Sequence, residues 1–288
     1  MQSTTNKDDN SPKSLRQALS RARRLLGDRL EADLLACHAL GRERSWLYAH
    51  DGDPIDNGTL TRLDELIAQR LDGRPIAQIC GLREFYGRDF GVNEHVLIPR
   101  PETELLVDVA LSLELPDNAR VCDVGMGSGC IALTLAAERP GWRITGIDRS
   151  VEALTAAAAN RDRLGLQRVE LLPGDLLAPV AERRFELIVS NPPYIAEDDP
   201  HLRHGDLRFE PIEALAAGPD GFEVIRRLVP ASLDQLETGG WLLIEHGYDQ
   251  ATAVRALFEA AGFSSVSSRR DLAGIERVTL GKKPDPAP

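Results

Sequence analysis

Residues 190–194 read Ser-Asn-Pro-Pro-Tyr and close the apolar run Phe185 to Ser190, so they fall where a buried strand ends. Neither Pro192 nor Pro193 has a backbone N–H, and each restricts the residue before it, which makes a stiff loop rich in carbonyl acceptors and poor in donors. Such a loop suits an incoming NH2 group. A planar NH2 conjugated to a carbonyl or a ring is a poor nucleophile. If the Asn191 side-chain oxygen and the Pro192 carbonyl each accept one of its hydrogens, the nitrogen is oriented and its electron density rises toward an electrophile. Tyr194 would pack against the flat acceptor, with Pro193 stiffening the turn between them. No strong general base is needed before attack, because the nitrogen becomes acidic only as the new bond forms. The motif alone leaves open a plain Asn-Pro turn at a strand end.

A second chemical signal is Asp123-Val124-Gly125-Met126-Gly127-Ser128-Gly129, which stands where an earlier β-type run hands over to a helix, the place where an open α/β sheet binds its ligand. Glycines permit the tight turn and let backbone approach a ligand closely, although G-x-G-x-G by itself is equally an ordinary strand-to-helix turn. The next strand ends at Asp148, placed to accept from both hydroxyls of a ribose or to cap the following helix. The one after ends at Gly174-Asp175-Leu176, where Asp175 can accept from an adenine amino group and Leu176 can pack on the ring. The spacing is not the dinucleotide G-x-G-x-x-G, and no P-loop Lys follows, which favours S-adenosyl-L-methionine over NAD or ATP. The expected cofactor site is Gly125, Met126, Gly127, Ser128, Gly129, Asp148, Asp175, Leu176 and Asn191.

Other polar residues invite competing readings. Glu245-His246 after a strand can be an acid/base pair, or a His satisfied in the core. His201 and His204 sit in a polar segment and read as solvent-facing rather than metal-binding, and no metal site is expected. Arg21, Arg23 and Arg24 read as the solvated face of a helix, with docking of an RNA-binding partner the alternative.

The elements that must position these groups follow from periodicity. Ser11-Pro12 fits a helix cap, and Leu15, Ala18, Leu19, Ala22 and Leu26 form one helical stripe; further helices stop near Gly41 and Gly73. Residues 1–11 are expected to be a solvated tail, 12–73 a small helical domain, 74–100 a β-hairpin linker and 101–288 an α/β domain. From residue 121 onward, short apolar runs alternate with helical patterns, which predicts an α/β fold with a parallel, doubly wound sheet. The last two segments, around Val266 and from Arg277 to Leu280, lack a helix between them and read as an antiparallel hairpin.

The 288 residues carry a net charge of −11 and are 42% apolar, enough for a sizeable core and too acidic for duplex nucleic acid to be the default partner. The four cysteines are scattered without a C-x-x-C pair, and the polar N-terminus MQSTTNKDDNSPK lacks a secretory apolar segment. A cytoplasmic, monomeric protein with reduced thiols and no membrane association is the expectation.

The segments VLIPRPETELLVD (96–108), DVGMGSGCIAL (123–133), IVSNPPYI (188–195), the stretch from DPHL through GDLRFEP to DG (199–221) and LLIEHG (242–247) together resemble the HemK/PrmC family of protein N5-glutamine methyltransferases. The resemblance runs from about Arg74 to Leu280. It implies a seven-stranded, Rossmann-like class I methyltransferase domain, with a helical N-terminus that engages the substrate. It also implies that Asn191, Pro192, Pro193 and Tyr194 bind the acceptor, the Gln of the Gly-Gly-Gln motif in class I peptide chain release factors, which act in translation termination. Met126 departs from the family, which usually has Thr there. Asn-Pro-Pro-Tyr is shared with enzymes that methylate the amino groups of nucleic-acid bases. Arg100-Pro101-Glu102-Thr103-Glu104 resembles the cofactor-mouth segment of the glutamine enzymes, although Pro and Glu also suit a first helical turn. Methylation of a ribosomal protein, methylation of a base and a non-catalytic cofactor-binding adaptor remain as alternatives.

Overall fold

The computed structural model describes Pro12 and residues 14–285, in two compact units, Met1–Cys80 and Gly81–Pro288. The expected tail over 1–11, the Ser11 cap and the last three residues lie outside the described residues.

The first unit is helical: α1 (Leu15–Leu26), α2 (Arg29–Leu40), α3 (Arg44–Ala49), α4 (Asn57–Leu71) and α5 (Ile76–Cys80). Ser14 caps α1 by accepting from the Gln17 N–H, while Asp28 and Asp56 cap α2 and α4 in the same way. Leu15, Leu19, Leu35, Leu47, Leu63 and Ile67 form the core of this unit. Of the arginines expected to be solvated, Arg24 is exposed, but the other two are engaged. Arg21 pairs with Asp64 on α4, and Arg23 donates to Asp33, a carboxylate with no exposed surface on α2. A buried carboxylate needs such partners, and Tyr48 supplies a further hydrogen bond to it at 2.5 Å.

The hairpin expected over 74–100 is narrower. Ile76 and Ile79, three residues apart, turn one face of α5 into the helical core, and only β1 (Leu82–Phe85) and β2 (Arg88–Gly91) pair antiparallel. The second unit continues with α6 (Glu104–Ser112), β3 (Arg120–Val124), α7 (Cys130–Glu138), β4 (Arg143–Asp148), α8 (Val151–Arg163), β5 (Glu170–Pro173), β6 (Phe185–Ser190), α9 (Glu223–Gln235), β7 (Leu236–Glu245), α10 (Ala251–Ala261), β8 (Ser264–Arg270) and β9 (Glu276–Lys282). Its seven-stranded sheet has the order β5-β4-β3-β6-β7-β9-β8. The neighbours from β5 to β7 are parallel, and β9 runs antiparallel to both β7 and β8.

Strand residues alternate between two cores. Val121, Leu187, Val189 and Leu243 face a layer with α6, α7 and α8, whereas Cys122, Ile188, Leu242 and Ile244 face α9 and α10. Burial on both faces explains the mostly apolar, non-alternating runs of the sequence. The chain leaves β3 toward β4 on one side and later returns to β6 on the other, so a crevice opens at the carboxyl ends of these strands. No helix among the described residues is long and apolar enough to cross a membrane.

Candidate active site

That crevice is a cavity walled by the ends of β3, β4, β5 and β6 and by the segment 95–103. The glycine loop folds back on β4, because the N–H groups of Gly125 and Met126 both donate to the Ile147 carbonyl, at 2.9 and 3.0 Å. Gly125 and Gly127 have φ of +73° and +54°, and a Cβ at either would meet no atom within 4 Å. The loop therefore bares backbone to open space, a cradle that a methyl group would begin to fill. Asp148 accepts from the Gly127 N–H at 2.8 Å and the Ser150 N–H at 2.9 Å, and Ser150 caps α8. The two readings of Asp148 are thus compatible: each oxygen spends one lone pair on the backbone and keeps another for a ligand hydroxyl.

Leu176 lines the cavity with φ of +50°, an uncommon conformation for a leucine that its neighbours must enforce. Asp175 also lines it, with its carboxylate paired to Arg227 on α9. Met126, the departure from the family pattern, belongs to the core cluster under α7 and is 3% exposed; its side chain lies against Gly146 of β4. Met126 therefore shapes the loop from below.

The Asn-Pro-Pro-Tyr loop is held from several sides. The Ser190 hydroxyl donates to the Val124 carbonyl at 2.6 Å, and the N–H groups of Tyr194 and Ile195 both donate to the Leu215 carbonyl. Gln250 donates to the Tyr194 carbonyl at 2.9 Å. A Cβ on Gly221 would stand 2.3 Å from that same carbonyl oxygen, so the close approach requires glycine. Asn191 donates through Nδ2 to the Thr103 hydroxyl at 3.2 Å. Its Oδ1 is buried and has no hydrogen-bond partner among the described residues. An unpaired buried amide oxygen on a cavity wall is a waiting acceptor.

The expected residues Gly125, Met126, Gly127, Ser128, Asp148, Asp175, Leu176, Asn191, Pro192 and Pro193 all border this cavity. Gly129 and Tyr194 stand behind its wall. Gly129 (φ +82°) begins α7 and faces Leu133 and Met126, while the Tyr194 ring packs against the core beneath α9 and α10. Burial, with Glu245 nearby, pushes the Tyr194 phenol up to about 12, so it stays neutral. The Tyr194 ring, expected to pack on a flat acceptor, thus lies against this core and does not line the cavity.

Several contributors are not apparent from motif reading. Glu210, 6% exposed, pairs with Arg100 and accepts from the Ile98 N–H at 2.9 Å, which fixes the wall segment 98–103. Asn160 on α8 donates to the Ser128 carbonyl at 2.8 Å and ties the glycine loop to Gly91 of β2. His246 is fully buried and bonded to the Gly247 carbonyl and the Thr279 hydroxyl, and burial depresses its pKa. It is thereby removed from acid/base work. His201 bonds Asp199, and among the described residues no group of three or more His, Cys, Asp or Glu is placed to hold a metal.

The cradle, the ribose-competent carboxylate and the orphaned Asn191 oxygen fit S-adenosylmethionine. Comparison with known proteins agrees with the geometry. A family described as "PrmC N-terminal domain" matches residues 14–81, and "Methyltransferase small domain" matches residues 101–205. The release factor glutamine methyltransferase of Pseudomonas aeruginosa is 48% identical over 88% of this chain and 92% of its own length. That of Bordetella pertussis is 49% identical over 88% and 94%. A methyltransferase structure from Pyrococcus furiosus, 17% identical, superposes with a TM-score of 0.54 over 76% of this chain and 98% of that one, a likeness of fold.

Proposed function

The chain belongs to the release factor glutamine methyltransferase family, and from that premise we propose how its own residues methylate the side-chain amide nitrogen of the Gln in the Gly-Gly-Gln motif of class I peptide chain release factors. S-adenosylmethionine, when bound, supplies an electrophilic methyl on a sulfonium. Gly125 to Gly129 would cradle it with bared backbone, Asp148 would accept from its ribose hydroxyls, and Leu176 with Asp175 would flank its adenine.

The observation that carries the mechanism is the buried, unpartnered Oδ1 of Asn191. An amide NH2 entering the cavity donates one hydrogen to this oxygen and the other to the Pro192 carbonyl. The pair fixes the nitrogen's direction and draws density onto it, a positioning effect rather than proton abstraction. Tyr194 contributes through its anchored carbonyl, which keeps the two acceptors in register. Two glycines before the Gln let it project from an exposed loop into a narrow pocket, and the helical unit grips the release factor elsewhere. Duplex nucleic acid is disfavoured as a substrate by the charge of −11. The enzyme acts as a monomer in the cytoplasm.

Labelled cofactor offered separately with release factor, a ribosomal-protein pool, DNA and RNA tests this reading. Label on the Gln of Gly-Gly-Gln, located by mass spectrometry, is the expected result. Label on nucleic acid alone would overturn the assignment, and label on a ribosomal protein alone would move it to that substrate.

A further inference from the structure

Arg100, Arg149 and Arg227 all border the cavity, although the sulfur of the methylated cofactor is itself a cation. Arg227 is matched by Asp175, and Arg149 follows Asp148 at the end of β4. Arg100 belongs to the acceptor end. Its carbonyl accepts from the Thr103 N–H at 3.1 Å, and the Thr103 hydroxyl accepts from Asn191 at 3.2 Å. A guanidinium thus stands on the stretch of wall that holds Asn191.

Its counter-charge comes from far along the chain. Glu210, 110 residues on, takes the Arg100 guanidinium on Oε1 and the Ile98 N–H on Oε2, the latter at 2.9 Å. Among the described residues Arg100 is paired with no other carboxylate. The Glu210 side chain has no exposed surface, whereas that of Arg100 is 30% exposed. The anion is sealed in protein and the cation keeps the open surface, so dissolved salt cannot screen the pair as it would a surface one. Glu210 is followed by Pro211, Glu213 and Ala214, which also line the cavity, so the same carboxylate ties two lining segments together.

Methyl transfer changes the charge of the ligand. S-adenosylmethionine carries a sulfonium, and the S-adenosylhomocysteine left behind is a neutral thioether. An unmatched guanidinium on this wall would repel the first and not the second, and so would favour the spent product. We propose that Glu210 is a specificity-determining residue for the cofactor: by neutralising Arg100 and tethering it to the wall, it lets the site take the charged cofactor without a penalty relative to its neutral product. The inference concerns the cofactor alone and stands whichever acceptor is methylated. A tie between two wall segments would affect both ligands alike; only the charge tells them apart.

Calorimetry on the full chain, with S-adenosylmethionine and S-adenosylhomocysteine titrated separately, reads the ratio of their affinities. Glu210→Gln keeps the shape and can still accept from the Ile98 N–H, but leaves Arg100 unmatched. The ratio should move by about tenfold or more toward the product, with affinity for S-adenosylhomocysteine within about threefold of wild type. Glu210→Asp keeps the charge and should keep the ratio within about twofold. Glu210→Gln combined with Arg100→Gln removes charge and counter-charge together and should restore the wild-type ratio. An unchanged ratio in Glu210→Gln, or a loss shared equally by the two ligands, would overturn the inference. If Glu210→Gln does not fold, Arg100→Gln decides: without the guanidinium the ratio should move toward S-adenosylmethionine, and an unmoved ratio there overturns the inference equally.

Discussion

Met126 and Gly146 fit one another: the Met126 sulfur lies 2.5 Å from where a Cβ on Gly146 would stand. One residue is in the glycine loop, the other in the middle of β4, and the bulk of the first occupies the space left by the second. Gly146→Ala should therefore destabilise the fold by about 1–3 kcal/mol through overpacking. Adding Met126→Thr should return most of it, a coupling that denaturant unfolding of the double-mutant cycle would measure. Strict additivity of the two changes would contradict the contact.

Asn191→Ala removes the orphaned acceptor and leaves the glycine loop intact. Turnover should fall by about 100-fold or more while affinity for S-adenosylhomocysteine changes by only a few-fold. Steady-state kinetics beside calorimetry separates the two quantities, and a proportional loss of both would place Asn191 in cofactor binding alone.

Asp148→Ala should do the reverse. It strips acceptors from the Gly127 and Ser150 N–H groups as well as from the ribose. Cofactor affinity should weaken by about 1–3 kcal/mol, read by calorimetry. Equal affinity would remove Asp148 from the site.

Gly221→Ala tests the anchoring of the acceptor loop. Its φ of +76° and the nearby Tyr194 carbonyl both resist a side chain. We expect a loss of about 1–3 kcal/mol in stability and a fall in kcat that exceeds any change in cofactor affinity. A variant with wild-type kcat would show that the loop tolerates the shift.

Asp123, at the end of β3, has no exposed surface, and burial pushes its carboxyl up to about 7; the Ala132 N–H pulls down and Asp148 adds to the rise. The folded protein thus keeps a proton that the unfolded chain releases from about pH 4, and stability falls as pH rises between about 4 and about 7. Asp123→Asn removes this dependence. Its stabilisation relative to wild type should be larger at about pH 8 than at about pH 5, by on the order of 2 kcal/mol. Thermal unfolding at the two pH values checks the sign, and a larger effect at the acid end would refute it.

The sheet was legible because parallel strands buried on both faces leave short, mostly apolar runs, as Val121 to Val124 and Phe185 to Ser190 do. The glycine loop and the acceptor loop were legible because each is local, a few adjacent residues whose types restrict the backbone. What escaped is what the fold brings together from afar. Thr103 meets Asn191 across 88 positions and Glu210 meets Ile98 across 112, and no spacing rule reaches that far. Tyr194 is a related case: residue type suggests a stacking ring, while the partner of its carbonyl, Gln250, and the close approach of Gly221 come from positions distant in sequence. Arg21 and Arg23 looked solvated because Asp64 and Asp33 lie on other helices.

The reversed strand β9 sets an order of maturation during synthesis on the ribosome. The residues assigned to the cofactor all precede Pro192 in the chain, whereas Arg227, which pairs with Asp175, and strand β9, which closes the sheet beside Glu245, come later. The nascent chain therefore carries its cofactor-contacting residues well before the sheet that backs them is complete. A chain stalled between these two points would hold those residues on a sheet whose edge is still open.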